Sequence, residues 1–160
     1  EVQTHASLEM IRKQDGISEW IEKTMMKAVK PQAEYQRIQN VPGIGSILGM
    51  VVVLESGGFT RFASAGDYAS YCRTVLSERT SNGRRKGESN RRHGNPYLAW
   101  AFAEAAVFAV RFYPKIAAWY ERKKRRRSVP VAMKALACKL AKAAWHVMRG
   151  KEFEESMLFG

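Results

Sequence analysis

Asn95-Pro96-Tyr97-Leu98-Ala99-Trp100-Ala101-Phe102-Ala103-Glu104-Ala105-Ala106-Val107-Phe108-Ala109-Val110-Arg111-Phe112-Tyr113-Pro114 is an apolar run with a proline near each end. Asn95 and Pro96 suit an N-cap and a first helical turn: an asparagine oxygen accepts from free N–H groups, and proline lacks an N–H that would go unpaired. Pro114 stops or bends the helix. Apolar on nearly every face, this helix is expected at the centre of a domain. It contains Glu104 and Arg111 and falls short of a membrane span. The glutamate, sharing a face with Arg111, reads either as the partner of a basic neighbour or as a catalytic acid.

Directly upstream, residues 77–95 read Ser77-Glu78-Arg79-Thr80-Ser81-Asn82-Gly83-Arg84-Arg85-Lys86-Gly87-Glu88-Ser89-Asn90-Arg91-Arg92-His93-Gly94-Asn95. A phosphodiester carries negative charge that grows in its transition state, so a site acting on it needs cations and bare N–H groups around an oxygen nucleophile. Gly83, Gly87 and Gly94 let the main chain come close, and Arg79, Arg84, Arg85, Lys86, Arg91 and Arg92 supply charge. The same composition also suits a loop that only binds nucleic acid or lies solvated. The loop runs from about residue 74 to 94, and its beginning and end are able to pair as a small β-hairpin.

Farther upstream, Val41-Pro42-Gly43-Ile44-Gly45 separates two helical patterns. This resembles a helix-hairpin-helix, in which Gly43 and Gly45 turn the chain and the N–H groups opening the second helix face a DNA phosphate. A plain turn between packed helices fits equally. Apolar residues at helical spacing from Leu8 through Ile11, Ile17, Trp20, Ile21 and Met25 make an amphipathic helix, with a break expected near Gly16 and an end at Pro31. Phe59 and Phe62 are core anchors, and Ser64 with Asp67 forms a capping arrangement for a helix through Tyr68, Tyr71 and Cys72.

Downstream, Arg122, Lys123, Lys124, Arg125, Arg126 and Arg127 follow one another, as a flexible clamp on phosphates or as a solvated charge run. Ser128 and Pro130 open a last helix to about Arg149, with Lys134, Lys139, Lys142, His146 and Arg149 on an outward basic face. Trp100, Trp119 and Trp145 read as core residues.

All of the net charge of +12 sits in the second half: residues 1–80 carry nine Lys/Arg and nine Asp/Glu, residues 81–160 eighteen and six. This is the footprint of a protein meeting DNA or RNA; no terminal segment pairs a basic face with lipid-seeking side chains, so no membrane partner is expected. With 160 residues and 46% hydrophobic content the chain is a globule with a core, not a disordered basic tail. Cys72 and Cys138 lack metal-ligand or CxxC spacing and read as small core residues of a cytoplasmic protein. His5, His93 and His146 form no zinc pattern with them, so no metal is expected on this chain. No signal peptide is visible, and a start at Glu1 inside a helical pattern reads as a piece of something longer.

The order of these parts resembles the carboxy-terminal domain of DEDD-type insertion-sequence transposases, bacterial recombinases guided by a bridge RNA. The carrying motifs are Val41-Pro42-Gly43-Ile44-Gly45, the Phe62…Tyr68…Tyr71 segment, Ser81-Asn82-Gly83-Arg84-Arg85-Lys86-Gly87, Gly94-Asn95-Pro96-Tyr97-Leu98-Ala99-Trp100 and Glu104-Ala105-Ala106. They cover the chain from about residue 38 to its end. The resemblance implies that Ser81 attacks a DNA phosphate and becomes covalently linked to the strand. It also implies a RuvC-like amino-terminal domain, outside this chain, holding divalent metal (Mg) on acidic residues, with no cofactor in this part. DNA, a guide RNA and further copies of the protein are the implied partners, in a bacterial cytoplasm. Many members carry Gly-Leu-x-Pro upstream and Ser-Gly-Gly at the serine, where this chain has Arg73-Thr74-Val75-Leu76 and Ser81-Asn82-Gly83.

The expectation is therefore a mainly α protein, with a helical extension over residues 1–38 and a DNA-binding, serine-bearing domain over residues 39–160. It contains a helix-hairpin-helix-like turn and a basic loop between helices. The rival expectation is a helical nucleic-acid-binding module without catalysis.

Overall fold

The computed structural model describes residues 2–75, 78–88 and 93–159, and gives the main chain alone for Val2, residues 78–81 and 85–88, Glu155 and Met157. The protein is mainly helical. Helix α1 (Val2–Val29) passes Gly16 without a break, since a single interior glycine costs a helix only about 1 kcal/mol. The chain turns at Pro31 into α2 (Ala33–Ile38), then through residues 39–45 into α3 (Ser46–Ser56), which Gly57 closes in the left-handed conformation at φ 59°. A single 3-10 turn, Phe59–Arg61, leads to α4 (Ala65–Tyr71). There Ser64 Oγ accepts from the Asp67 N–H at 3.1 Å and the Asp67 carboxylate accepts from the Ser64 N–H at 3.0 Å, the reciprocal cap expected of that pair.

Two antiparallel strands, β1 (Glu78–Ser81) and β2 (Arg84–Glu88), stand between α4 and α5 (Pro96–Phe112). Then come α6 (Pro114–Arg126), α7 (Val129–Met148) and a short α8 (Glu155–Phe159) that the sequence pattern did not announce. Helix α5 packs on α3, α6 and α7, and α7 also covers α2 and α4.

One stripe of α5 enters the core: Leu98, Ala101, Phe102, Ala105, Ala106 and Ala109 are buried. Its alanines meet an equally small-residued face of α7, with Ala132, Ala137, Ala141 and Ala144 among the buried residues, so the two helices approach closely and bury backbone as well as side chains. The central helix expected to be apolar-packed all round is thus half exposed: Tyr97, Trp100, Val107, Phe108 and Phe112 face outward, and Trp100 is 49% exposed rather than a core residue. Phe59, Phe62 and Tyr68 do anchor the core; the Tyr68 ring centroid lies 5.0 Å from Phe62 and 6.1 Å from Phe102, and its hydroxyl shares a 2.9 Å hydrogen bond with Ser56 Oγ. Beside it, burial pushes the Cys72 thiol up to about 12, which leaves an inert protonated core residue.

Val29, Tyr35 and Ile38 are buried against this core, so α2 is built into the body of the fold although the extension was drawn to residue 38. The rest of α1 is exposed along almost its whole length.

Candidate nucleic-acid interface

Strand pairing sets Ser81 opposite Arg84 and Thr80 opposite Arg85, with an irregularity between Glu78 and Thr80. Between Ser81 and Arg84 lie Asn82 at φ 53° and Gly83 at φ 71°, both exposed. Two successive positive φ values make the tight two-residue hairpin turn that Asn-Gly favours, because its twist matches that of the strands it joins. The hairpin expected from pairing at the ends of segment 74–94 therefore closes around Asn82-Gly83 instead.

The base of the loop is fastened at both ends. Arg73 takes φ 55°, the left-handed conformation for which glycine is the usual choice. From there its Nε–H donates to the His93 carbonyl at 3.0 Å and a terminal N–H donates to the Gly94 carbonyl at 2.9 Å. The Asn95 N–H donates to the Tyr71 carbonyl at 2.7 Å, and a Cβ at Gly94 would collide with that same carbonyl oxygen. Thr74, buried, donates through both its N–H and its hydroxyl to the Ala69 carbonyl.

Asn95 joins this clamp to the helix beyond. Its Oδ1 accepts from the N–H groups of Tyr97 at 2.8 Å and Leu98 at 3.1 Å, while its Nδ2 donates to the Glu55 carboxylate of α3 at 2.6 Å. Asn95→Ala removes the cap and the tie to α3 together. The expected loss is about 1–2 kcal/mol, or roughly 2–8 °C in Tm for a chain of this length, read by thermal denaturation. An unchanged midpoint would show that the clamp adds nothing.

The residues of the basic loop fall into two groups. Arg84 is exposed beside the turn. The side chains of Ser81, Arg79, Arg85 and Lys86, and the whole of Arg91, Arg92, Ser77 and Ser89, lie outside the described residues.

Gly43 and Gly45 part company. Gly43, at φ 80°, packs against α5, where a Cβ would strike the Ala105 carbonyl oxygen and come within 2.9 Å of the Ala109 nitrogen. Close helix packing accounts for that glycine without any ligand. Gly45 is exposed, precedes α3 with ordinary backbone angles and offers no side-chain cap, which leaves the first N–H groups of α3 without an intrahelical partner.

The run from Arg122 to Arg127 is not a flexible segment: Arg122 through Arg126 belong to α6, with Arg127 just after it. Helical spacing divides the six cations. Lys124 pairs with Glu121 at 2.6 Å and lies 5.5 Å over the Tyr120 ring, and Arg125 is exposed. Arg122, Lys123, Arg126 and Arg127 turn toward α7. Lys139 and His146 are likewise not free on an outward face: both are half-buried, and burial, with Lys151 and Arg149 nearby, holds the His146 imidazole below its usual range.

Glu104 has no bond to Arg111 among the described residues; the guanidinium lies 5.3 Å over the Phe112 ring instead. No three carboxylate, imidazole or thiol groups converge among the described residues. No helix among them is long and apolar enough to cross a membrane. Arg73 and the Asn95–Glu55 tie went unmarked in the sequence because nothing local distinguishes a strap to a residue twenty or forty positions away.

No curated protein matches the chain. The Transposase IS116/IS110/IS902 family matches residues 35–121, more than half of the chain, and that span takes in the α2–α3 turn, the Ser81 hairpin and all of α5. On that match, the chain belongs to the IS116/IS110/IS902 transposase family.

Proposed function

We propose that this chain is the serine-bearing part of a DNA recombinase, and that Ser81 Oγ is the nucleophile of strand cleavage. The observation that carries the reading is the register of the hairpin: Ser81 stands opposite Arg84 at the tip, one tight turn apart, in the family-matched segment. Opposed residues of an antiparallel pair share a face of the ladder, so Arg84 is the guanidinium assigned to the phosphate that Ser81 attacks. Arg85, paired with Thr80 in the register, is assigned to a neighbouring phosphate.

In the proposed step the Ser81 oxygen bonds to phosphorus, a nucleoside oxygen leaves as the hydroxyl of the cut end, and the serine proton passes to a base. Rejoining reverses these exchanges with a new hydroxyl. Arg84 stabilises charge that grows on the phosphoryl oxygens, and a hairpin clamped at Arg73 and Asn95 holds it in place without reorganisation. The exposed start of α3 after Gly45 is assigned to a phosphate of the DNA backbone, which positions the duplex without reading bases. Choice of site belongs to a guide RNA in this reading.

The test is covalent trapping: the whole protein with guide RNA, donor and target DNA is expected to yield a protein–DNA adduct that disappears in Ser81→Ala. An adduct retained by that variant removes Ser81 from the chemistry; no adduct from the unaltered protein leaves a binding module without catalysis.

Helix α1 is assigned to assembly with a second copy of the chain. Leu8 at 48%, Ile11 at 53%, Trp20 at 68% and Ile21 at 43% exposure are large apolar side chains left uncovered along α1, and a second copy is the partner assigned to cover them. Sedimentation is expected to give a dimer that becomes a monomer when residues 1–24 are removed, a cut that spares buried Val29. A monomer in both cases ends the assignment.

A further inference from the structure

We propose that the corner of α6, α7 and α8 is a second phosphate site, separate from the Ser81 hairpin, which receives the closely spaced phosphates of a looped single nucleic-acid strand. It rests on the nucleic-acid part of the proposed function, and not on Ser81.

The site is a hollow of about 620 Å³ lined by Trp119, Arg122, Lys123, Arg126, Arg127 and Lys139. Trp119, Arg122, Lys123 and Arg126 recur at intervals of three, four and seven residues, the spacing that brings helical side chains to one face. Lys139 joins them from the middle of α7. Its ammonium is fixed in place: Nζ donates to the Leu158 carbonyl at 2.5 Å and lies 5.3 Å over Trp119 and 5.4 Å over Phe159. Trp119 is itself held edge-on against Phe159, with ring centroids 5.7 Å apart.

No carboxylate lines the hollow among the described residues, and the nearby Glu121 is engaged by Lys124. The concentration of like charge is felt locally, for burial and then Lys123 and Lys142 lower the Lys139 pKa. Five unneutralised cations around one concavity destabilise the folded state, and an arriving polyanion reverses that penalty.

The shape selects the form of the polyanion. A regular duplex presents its phosphates on a convex ridge, which meets a recessed pocket at few points. A strand that turns back on itself gathers several phosphates inward, where the exposed Arg122, Arg126 and Arg127 can fork onto the oxygens around the fixed Lys139. Trp119 is the single aromatic in the lining, so a base finds one stacking surface and the phosphates dominate.

The experiment uses the whole protein in the Ser81→Ala background, so its outcome is independent of any covalent step. Fluorescence anisotropy across a salt series reports binding of a hairpin-loop RNA, a single-stranded DNA of the same sequence and a blunt duplex. Arg122→Gln with Arg126→Gln is expected to weaken loop binding by at least about tenfold in dilute salt and to flatten log K against log salt by about 1.4, two phosphate contacts at roughly 0.7 each. Arg125→Gln, in the same run but outside the hollow, is expected to change the slope by less than half as much. Duplex binding should move little, and the thermal midpoint of the double variant should not fall, which separates lost contacts from lost folding. A larger loss with RNA or with single-stranded DNA names the source of the strand. Equal effects of Arg125→Gln and of the double variant, or equal losses for loop and duplex, would return these residues to a solvated charge run and overturn the proposal.

Discussion

Ser81→Ala is expected to lower formation of the covalent protein–DNA adduct by a factor on the order of 10⁴–10⁶ while leaving noncovalent DNA binding within about twofold. The asymmetry follows from what the substitution removes. The hairpin turn is set by Asn82 and Gly83, at φ 53° and 71°, and its base by the bonds from Arg73 and Asn95, so losing one hydroxyl leaves the frame standing. Arg84 keeps its charge and its place beside the turn, and with it most of the electrostatic attraction. Only the attacking oxygen is gone, and no rearrangement of cations substitutes for a nucleophile. Denaturing gels of the adduct, with anisotropy on the same samples, read the two quantities separately. Loss of both together would mean that the substitution disturbs the hairpin, and Ser81→Thr, which keeps a hydroxyl, then decides: restored adduct assigns the chemistry to the oxygen. If Ser81→Ala retains the adduct, Thr80, Ser77 and Ser89 become the hydroxyls to examine.

Gly43→Ala is expected to be among the most destabilising single substitutions in the chain, at about 3–5 kcal/mol. Two costs add. An alanine held at φ 80° carries a backbone penalty of roughly 1–3 kcal/mol. Its Cβ also meets the Ala105 carbonyl and the Ala109 nitrogen, atoms of a helix backbone that cannot rotate away, so α3 and α5 must separate. Gly45→Ala is the control: nothing lies within 4 Å of a Cβ there and φ is −90°, so its effect on stability is expected to stay within about 0.5 kcal/mol. Thermal denaturation, at roughly 2–4 °C per kcal/mol for a chain of this size, should place Gly43→Ala about 10 °C below Gly45→Ala. Coincident midpoints would mean that the α2–α3 turn does not need its glycine for packing.

The contrast between these two glycines bears on the helix-hairpin-helix comparison. In the sequence both belong to one Pro-Gly-Ile-Gly signal, and both are candidates for a DNA contact. In the fold one is committed to α5 and the other opens α3 toward solvent, so only the second retains the geometry of a phosphate contact. The same sorting happens along α6, where of six adjacent cations one forms an ion pair, one arginine stands outside the hollow and four line it.

The features legible in the residues alone are local. The Ser64–Asp67 box, the Asn95-Pro96 helix start, the Pro31 stop, the anchoring of Phe59 and Phe62, and the family motifs around Ser81 all depend on neighbours within a few positions or on apolar pattern, and each is legible in the sequence. Which face of each helix is covered depends instead on how the helices pack together. Alanine and tryptophan are both apolar, yet α5 buries Ala101, Ala105, Ala106 and Ala109 together with Leu98 and Phe102 and exposes Tyr97, Trp100 and Phe112, because packing against α3, α6 and α7 covers one stripe of the helix and not the other. Likewise Arg73 reaches His93, Asn95 reaches Glu55 and Lys139 reaches Leu158 through space rather than along the chain, and periodicity is blind to such contacts since it compares residues only within their own helix.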